Sequence, residues 1–69
     1  MNKPKAFIVN GDSVIGFIYF DKKRGRTIVL DNHFDINYPL SIYEITDDGQ
    51  DKVASIEFIE FIQNMLPPV

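Results

Sequence analysis

Residues 6–20 read AFIVNGDSVIGFIYF, two apolar runs separated by a short polar break. The break begins with Asn10-Gly11, and Asn-Gly is the strongest short signal for a β-hairpin because both residues tolerate the positive φ of a type I′ turn. The runs AFIV and SVIGFIYF are rich in β-branched and aromatic residues, which favour strands. This stretch predicts an antiparallel hairpin near the start of the chain.

Two further strand segments follow the hairpin. The sequence KKRG (22–25) predicts a second turn, with Gly25 able to take a left-handed conformation, and TIVL (27–30) predicts a third strand. The polar stretch DNHFDINYP (31–39) is typical of an irregular connection, and LSIYEIT (40–46) predicts a fourth strand.

The segment SIEFIEFIQNML (55–66) has the pattern of a helix. Its adjacent apolar pairs break the alternation of a strand, whereas Glu57, Glu60 and Asn64 fall on one polar helical stripe. Ser55 or Asp51 can cap the N-terminus of this helix, and Pro67-Pro68 are expected to end it.

These elements predict one α+β domain over residues 1–69. We expect a small four-stranded antiparallel sheet, arranged as a meander that is either open or curled into a partial barrel. One C-terminal helix packs on it. The expected bounds are about 5–9, 13–20, 27–31 and 40–46 for the strands and about 53–66 for the helix.

The composition limits how so short a chain can be stabilised. A domain of 69 residues buries only about 60% of the surface that its unfolded form exposes. The chain has no cysteine, which excludes disulfides and thiolate zinc sites. It is 45% hydrophobic, with six Phe and three Tyr. We therefore expect an apolar core, a second subunit, or both.

The sequence also indicates where the protein acts. No apolar run approaches the roughly 20 residues that span a bilayer. The N-terminal segment has basic residues but too short an apolar run for a signal peptide. We expect a cytoplasmic protein that does not contact a membrane.

The expected strand pairing leaves an excess of apolar surface. We take Asn10-Gly11 as a two-residue turn and place Asp21 opposite Arg26 in the second hairpin. One face of the sheet then collects Ala6, Ile8, Ile15, Phe17, Tyr19, Ile28 and Leu30. The other face collects Phe7, Val9, Val14, Ile18, Phe20 and Val29. A three-residue loop with Gly25 in a bulge would instead flip the third strand.

One helix covers only one face of such a sheet, and the helix itself is apolar around most of its circumference. Closure into a small barrel would bury one face. The other explanation is a homodimer or a docking surface for a larger protein. The helix residues that we expect at this interface are Phe58, Ile59, Phe61, Ile62 and Met65.

The sequence therefore predicts a small non-enzymatic protein–protein interaction module. We expect it to form a homodimer and to act as an accessory or inhibitory protein for a larger partner. It contains no nucleophile elbow, phosphate-binding glycine loop or paired-carboxylate signature. We expect no cofactor and no small-molecule substrate.

Positive charge is gathered at the second turn. Lys22, Lys23, Arg24 and Arg26 contribute +4 to a net charge of −3, so the rest of the chain carries −7. The alternative function is nucleic-acid binding through this basic hairpin, with Tyr19 and Phe20 available for stacking. An acidic protein partner is a further possibility. The simplest explanation is a hairpin end that charge keeps soluble and unpaired.

The segment GFIYFDKKRGRTIVLD (16–31) resembles the first hairpin of cold-shock domains, in which an aromatic strand runs into a turn containing lysine and glycine. After the turn, that family has a glycine-phenylalanine-glycine-phenylalanine stretch, and this chain has GRTI. The second set of base-stacking aromatics is missing, so the resemblance does not imply the family's nucleic-acid binding here.

The connection at 31–39 alternates possible metal ligands: Asp31, His33, Asp35 and Asn37. Such oxygen and imidazole groups can bind a divalent cation. An EF-hand loop is excluded, because Ile36 stands where that loop needs glycine and Ile42 where it needs glutamate. We expect an ordinary polar loop and no metal site.

Overall fold

The computed structural model of the chain describes residues 3–66, which form one antiparallel sheet and one helix. The elements are β1 (Ala6–Asn10), β2 (Ser13–Asp21), β3 (Gly25–Leu30), β4 (Leu40–Ile45), β5 (Asp51–Val53) and α1 (Ile56–Met65). The α+β class, with an antiparallel sheet and a C-terminal helix, is confirmed. The sheet is not closed into a barrel.

The strand order is β3-β2-β1-β4-β5, so β1 lies at the centre and β4 lies beside β1. A meander would have placed β4 beside β3, and that expectation is wrong. The first four strands instead form a Greek key, in which the fourth strand returns by a long connection to lie beside the first. The sheet has five strands rather than four, because Asp51–Val53 pairs with the end of β4. Only one of the three residues of β5 is apolar, so the sequence shows no strand pattern there.

The first hairpin turns one residue later than Asn-Gly predicted. Asn10 pairs with Ser13, so the turn residues are Gly11 and Asp12, with Gly11 at a φ of 64°. A glycine of positive φ at the first central position, followed by a residue of negative φ, matches a type II′ turn.

A β-bulge then changes the register of β2. Val9 pairs with Val14, whereas Ile8 pairs with Gly16, so Ile15 is an extra residue. The bulge turns the rest of β2 over. Ile18 therefore shares a face with Ala6, and the expectation that Phe17 and Tyr19 would lie on that face is wrong.

The second hairpin follows the alternative register. Asp21 pairs with Gly25 across a three-residue turn, and Gly25 has a φ of 76°. The expected pairing of Asp21 with Arg26 is therefore wrong, since Arg26 lies opposite Phe20. The bulge and the shorter second turn each exchange the faces of the following strand, so the two changes cancel for β3. Ile28 and Leu30 therefore lie on the same face as Ala6 and Ile8, as expected.

Gly16 stands where β3 approaches β2 closely. A Cβ atom at this position would lie 2.7 Å from the carbonyl oxygen of Val29 and 2.9 Å from a methyl carbon of Leu30. Any side chain at residue 16 would therefore require β3 to move.

Of the two N-cap candidates, Ser55 and Asp51, Ser55 caps the helix. The Ser55 hydroxyl accepts a hydrogen bond from the N–H of Phe58 at 3.2 Å, and Glu57 lies in the first turn. The helix is shorter than expected at its start, because residue 53 belongs to β5. Pro67-Pro68, expected to stop it, lie outside the described residues.

The hydrophobic core lies between α1 and one face of the sheet. Ile8 and Ile42 pair across β1 and β4, and both are fully buried together with Ile62 of α1. Phe34 also enters the core, from the connection between β3 and β4 that the sequence indicated as simply polar. The remaining buried apolar residues are Ala6, Ile15, Ile18, Ala54 and Leu66.

Candidate interaction surfaces

The sheet face opposite the helix has no element of the described chain packed on it. Cross-strand partners share a face, and residues adjacent along a strand point to opposite faces. Because Ile8 and Ile42 face the helix, Phe7 and Tyr43 face away from it. The apolar residues on this side, which we call the open face, are Phe7, Val9, Val14, Phe17, Tyr19, Val29, Tyr43, Ile45 and Val53.

One continuous apolar row crosses all five strands of the open face. The pairing runs Val29–Phe17–Phe7–Tyr43–Val53. The rings of Phe7 and Tyr43 stack, with centroids 5.3 Å apart and an angle of 18° between planes. With strands about 4.8 Å apart, this row extends about 19 Å across the sheet.

Every residue of the open face retains contact with solvent. Val29 is 45% exposed and Val53 is 58% exposed, at the two edges of the row. The aromatic residues between them are half-buried by one another. Asp21 and Asp51, the charged strand residues on this side, lie at strand ends. An apolar centre with a polar rim is the anatomy of a protein interface.

The expected helix interface residues divide between core and surface. Ile62 is fully buried, and Phe58 and Ile59 are partly buried against the core. Phe61 and Met65 are 51% and 57% exposed, one helical turn apart. They form a small apolar patch, and their interface role stays a prediction. The sequence indicated surplus apolar surface on the sheet, but only the register shows which residues form it.

The basic residues of the second hairpin do not form one cluster. Lys22, Lys23 and Arg24 are exposed in the turn. Arg26 instead lies on the helix side, where its guanidinium carbon is 5.0 Å from the centre of the Phe58 ring and 6.0 Å from that of Phe61.

The two aromatic residues considered for base stacking also separate. Phe20 lies on the helix side, opposite Arg26, and Tyr19 lies on the open face. These two rings therefore lie on opposite sides of the sheet and form no shared platform beside the charged turn.

Within the polar connection at 31–39, a side chain hydrogen-bonds to the backbone of the same loop. The Asp35 carboxylate accepts a hydrogen bond from the N–H of Asn37 at 2.9 Å, within a local turn. Within residues 3–66, no three or more His, Asp or Glu side chains are grouped so as to hold a metal ion.

A second polar turn joins β4 to β5. The Thr46 hydroxyl hydrogen-bonds to the Asp48 carboxylate and lowers the pKa of Asp48, and the N–H of Gln50 adds to this effect. Asp48 is exposed, so this interaction stabilises the turn and marks no reactive group.

In the described part of the chain, no helix is both long enough and apolar enough to cross a membrane. Comparison of the chain with protein-family models, with curated proteins and with solved structures found no significant match.

Proposed function

We propose that this chain is a small non-enzymatic interaction module that forms a homodimer through its open face. The observation that supports the proposal is the uninterrupted apolar row across all five strands, with charges only at strand ends. A second copy can pack on such a face through its apolar row, because the charged strand residues of this side, Asp21 and Asp51, lie at strand ends where they can stay in water. Two sheets packed in this way lie about 10 Å apart with interdigitating side chains.

The area of the open face indicates how much surface this dimer would bury. Five strands by three rows of side chains cover about 24 Å by 20 Å, on the order of 500 Å² per copy. Two copies would bury about 1,000 Å² in total, at the lower end for a specific interface. We therefore infer a dimer in exchange with monomer, whose open face is also available to a larger protein. In that complex the chain acts as an accessory or inhibitory subunit, in the cytoplasm.

The test is the mass in solution, measured by light scattering on a sizing column over a range of concentrations. We expect a mass near twice 8.0 kDa at high concentration, falling towards 8.0 kDa on dilution. Val29→Lys places a charge at one end of the apolar row, on the edge strand β3, and should shift the equilibrium strongly towards monomer, because each copy would have to desolvate part of that lysine on association.

Met65→Lys is the matched variant on the helix patch. It makes the same kind of change at a similarly exposed site. A dimer formed through the open face should remain intact in this variant, whereas a dimer formed through the helix residues predicted from the sequence should be lost. Loss of the dimer in Met65→Lys but not in Val29→Lys would move the interface to the helix. A wild-type mass of 8.0 kDa at every concentration would refute the homodimer.

A further inference from the structure

A second surface lies on the helix side of the sheet, where the strands meet the start of α1. It is an open groove of about 720 Å³, and each of the five strands contributes at least one residue to it. That volume is within the range of about 300–1,000 Å³ typical of ligand sites. We call it the cationic groove, because Lys5, Arg26 and Lys52 line it.

The floor of the cationic groove is apolar. Ala6, Ile18 and Ala54 line it and are buried. Two phenylalanines also line it: Phe20, which is 50% exposed, and Phe58, whose ring lies against the Arg26 guanidinium. A large apolar side chain entering the groove would contact this floor and remove the exposed part of Phe20 from water.

The rim of the groove is positively charged on an otherwise acidic protein. Lys5, Arg26 and Lys52 line it with a single acid, Glu44, so the local formal charge is +2, three cations less one anion. The whole chain carries −3. The N-terminus of α1 lies beside the groove and adds partial positive charge from its backbone N–H groups.

We propose that the cationic groove binds an acidic peptide segment of another protein. A large apolar side chain of the peptide enters the apolar floor, and flanking carboxylates pair with Lys5, Arg26 and Lys52. The combination of an apolar floor and three cations at the rim favours a peptide over a nucleic acid, because an apolar peptide side chain can fill the floor while neighbouring carboxylates pair with the rim. The groove lies on the opposite side of the sheet from the open face, so this proposal does not depend on the homodimer.

The experiment uses fluorescence anisotropy with a short dye-labelled peptide of glutamates and aspartates around one phenylalanine. We expect saturable binding to the full chain, weakened at least about tenfold in Lys52→Glu, because this change both removes a pairing cation and adds a repelling anion. Lys23→Glu is the matched control, since it alters the net charge equally at the exposed hairpin turn. We expect it to change the affinity by less than about twofold.

Lys5→Glu provides a second exposed variant outside the strands and should weaken binding as Lys52→Glu does. Circular dichroism is used to check that each variant is folded. Light scattering should show the oligomeric state of both variants unchanged, which separates this proposal from the dimer.

Three results would overturn the proposal. Equal loss of binding in Lys23→Glu and Lys52→Glu would show that the peptide responds only to the net charge of the protein and does not pair with the groove. Equal binding of a peptide with serine in place of phenylalanine would show that the apolar floor is not used. Displacement of the bound peptide by a single-stranded oligonucleotide at lower concentration than by unlabelled peptide would assign the groove to nucleic acid.

Discussion

Among residues 3–66, Asn10 is the buried polar side chain, and it decides the path of the longest connection. Its Nδ2 group donates to the carbonyl oxygens of Asp35 and Tyr38, each at 3.1 Å. Its Oδ1 atom accepts from the N–H of Asp35 at 2.7 Å. A buried amide group without partners is costly, so these bonds fix the loop that leads from β3 to β4.

We therefore predict that Asn10→Leu, which keeps much of the volume and removes the hydrogen-bonding groups, lowers the free energy of unfolding by about 3 kcal/mol. The loss follows because the N–H of Asp35 and the carbonyl oxygen of Tyr38 would lose their hydrogen-bond partner in Asn10, and the loop would no longer be tied to β1. Urea unfolding followed by circular dichroism measures it. Asn37→Leu, an exposed change in the same loop, should cost less than about 0.5 kcal/mol. Equal losses in the two variants would contradict this role of Asn10.

At the scale of elements, β2 and α1 are specified in different ways. In β2 the bulge at Ile15 inverts the faces of the strand, and the Ile15 carbonyl then accepts the N–H groups of Asp31 at 2.7 Å and Asn32 at 3.2 Å. The bulge thus also anchors the connection that leaves β3. The start of α1 is instead set by a local interaction, the N-cap at Ser55.

The N-cap gives a prediction at this scale. Ser55→Ala should lower the free energy of unfolding by about 1 kcal/mol, because the N–H of Phe58 loses its acceptor. Ser55→Asp restores a carboxylate acceptor at the cap and should remain within a few tenths of a kcal/mol of wild type. Urea titration of the three proteins measures both differences. If Ser55→Asp is as unstable as Ser55→Ala, the cap is not the source of the effect.

The whole molecule places two different surfaces on the two sides of one sheet. The helix side contains the core and, beside it, the cationic groove. The other side presents the open face, which no described element covers. If two open faces pack together, folding and association are linked, and stability depends on concentration.

We predict that the midpoint temperature of thermal unfolding, Tm, rises by several degrees when the protein concentration rises about a hundredfold. Association stabilises the folded chain by mass action, and about 1 kcal/mol shifts Tm by roughly 4–8 °C in a domain of this size. Val29→Lys should abolish the dependence on concentration. A wild-type Tm that does not change with concentration would contradict linked association.

The sequence by itself determined the features that depend on neighbouring residues. The presence of the first hairpin, the β-rich segments up to residue 46 and the C-terminal helix, with Ser55 as one of its two cap candidates, all follow from local patterns. The two-residue alternation of apolar residues in a strand and their spacing of about 3.6 residues in a helix are both visible within a single segment. The surplus of apolar surface also follows from composition, since one helix covers one face.

The tertiary structure alone decided register, strand order and therefore the surfaces. A shift of one residue exchanges the faces of a strand, so the extra residue Ile15 placed Ile18 in the core and Phe17 on the open face. Whether β4 lies beside β3 or β1 depends on contacts between distant segments, above all those of Asn10 with residues 35–39. The same holds on the helix, where adjacent residues divide between the buried Ile62 and the exposed Phe61. The physical reason is that hydrogen bonding between strands and burial against a helix are properties of pairs of segments, and no single segment of the sequence contains them.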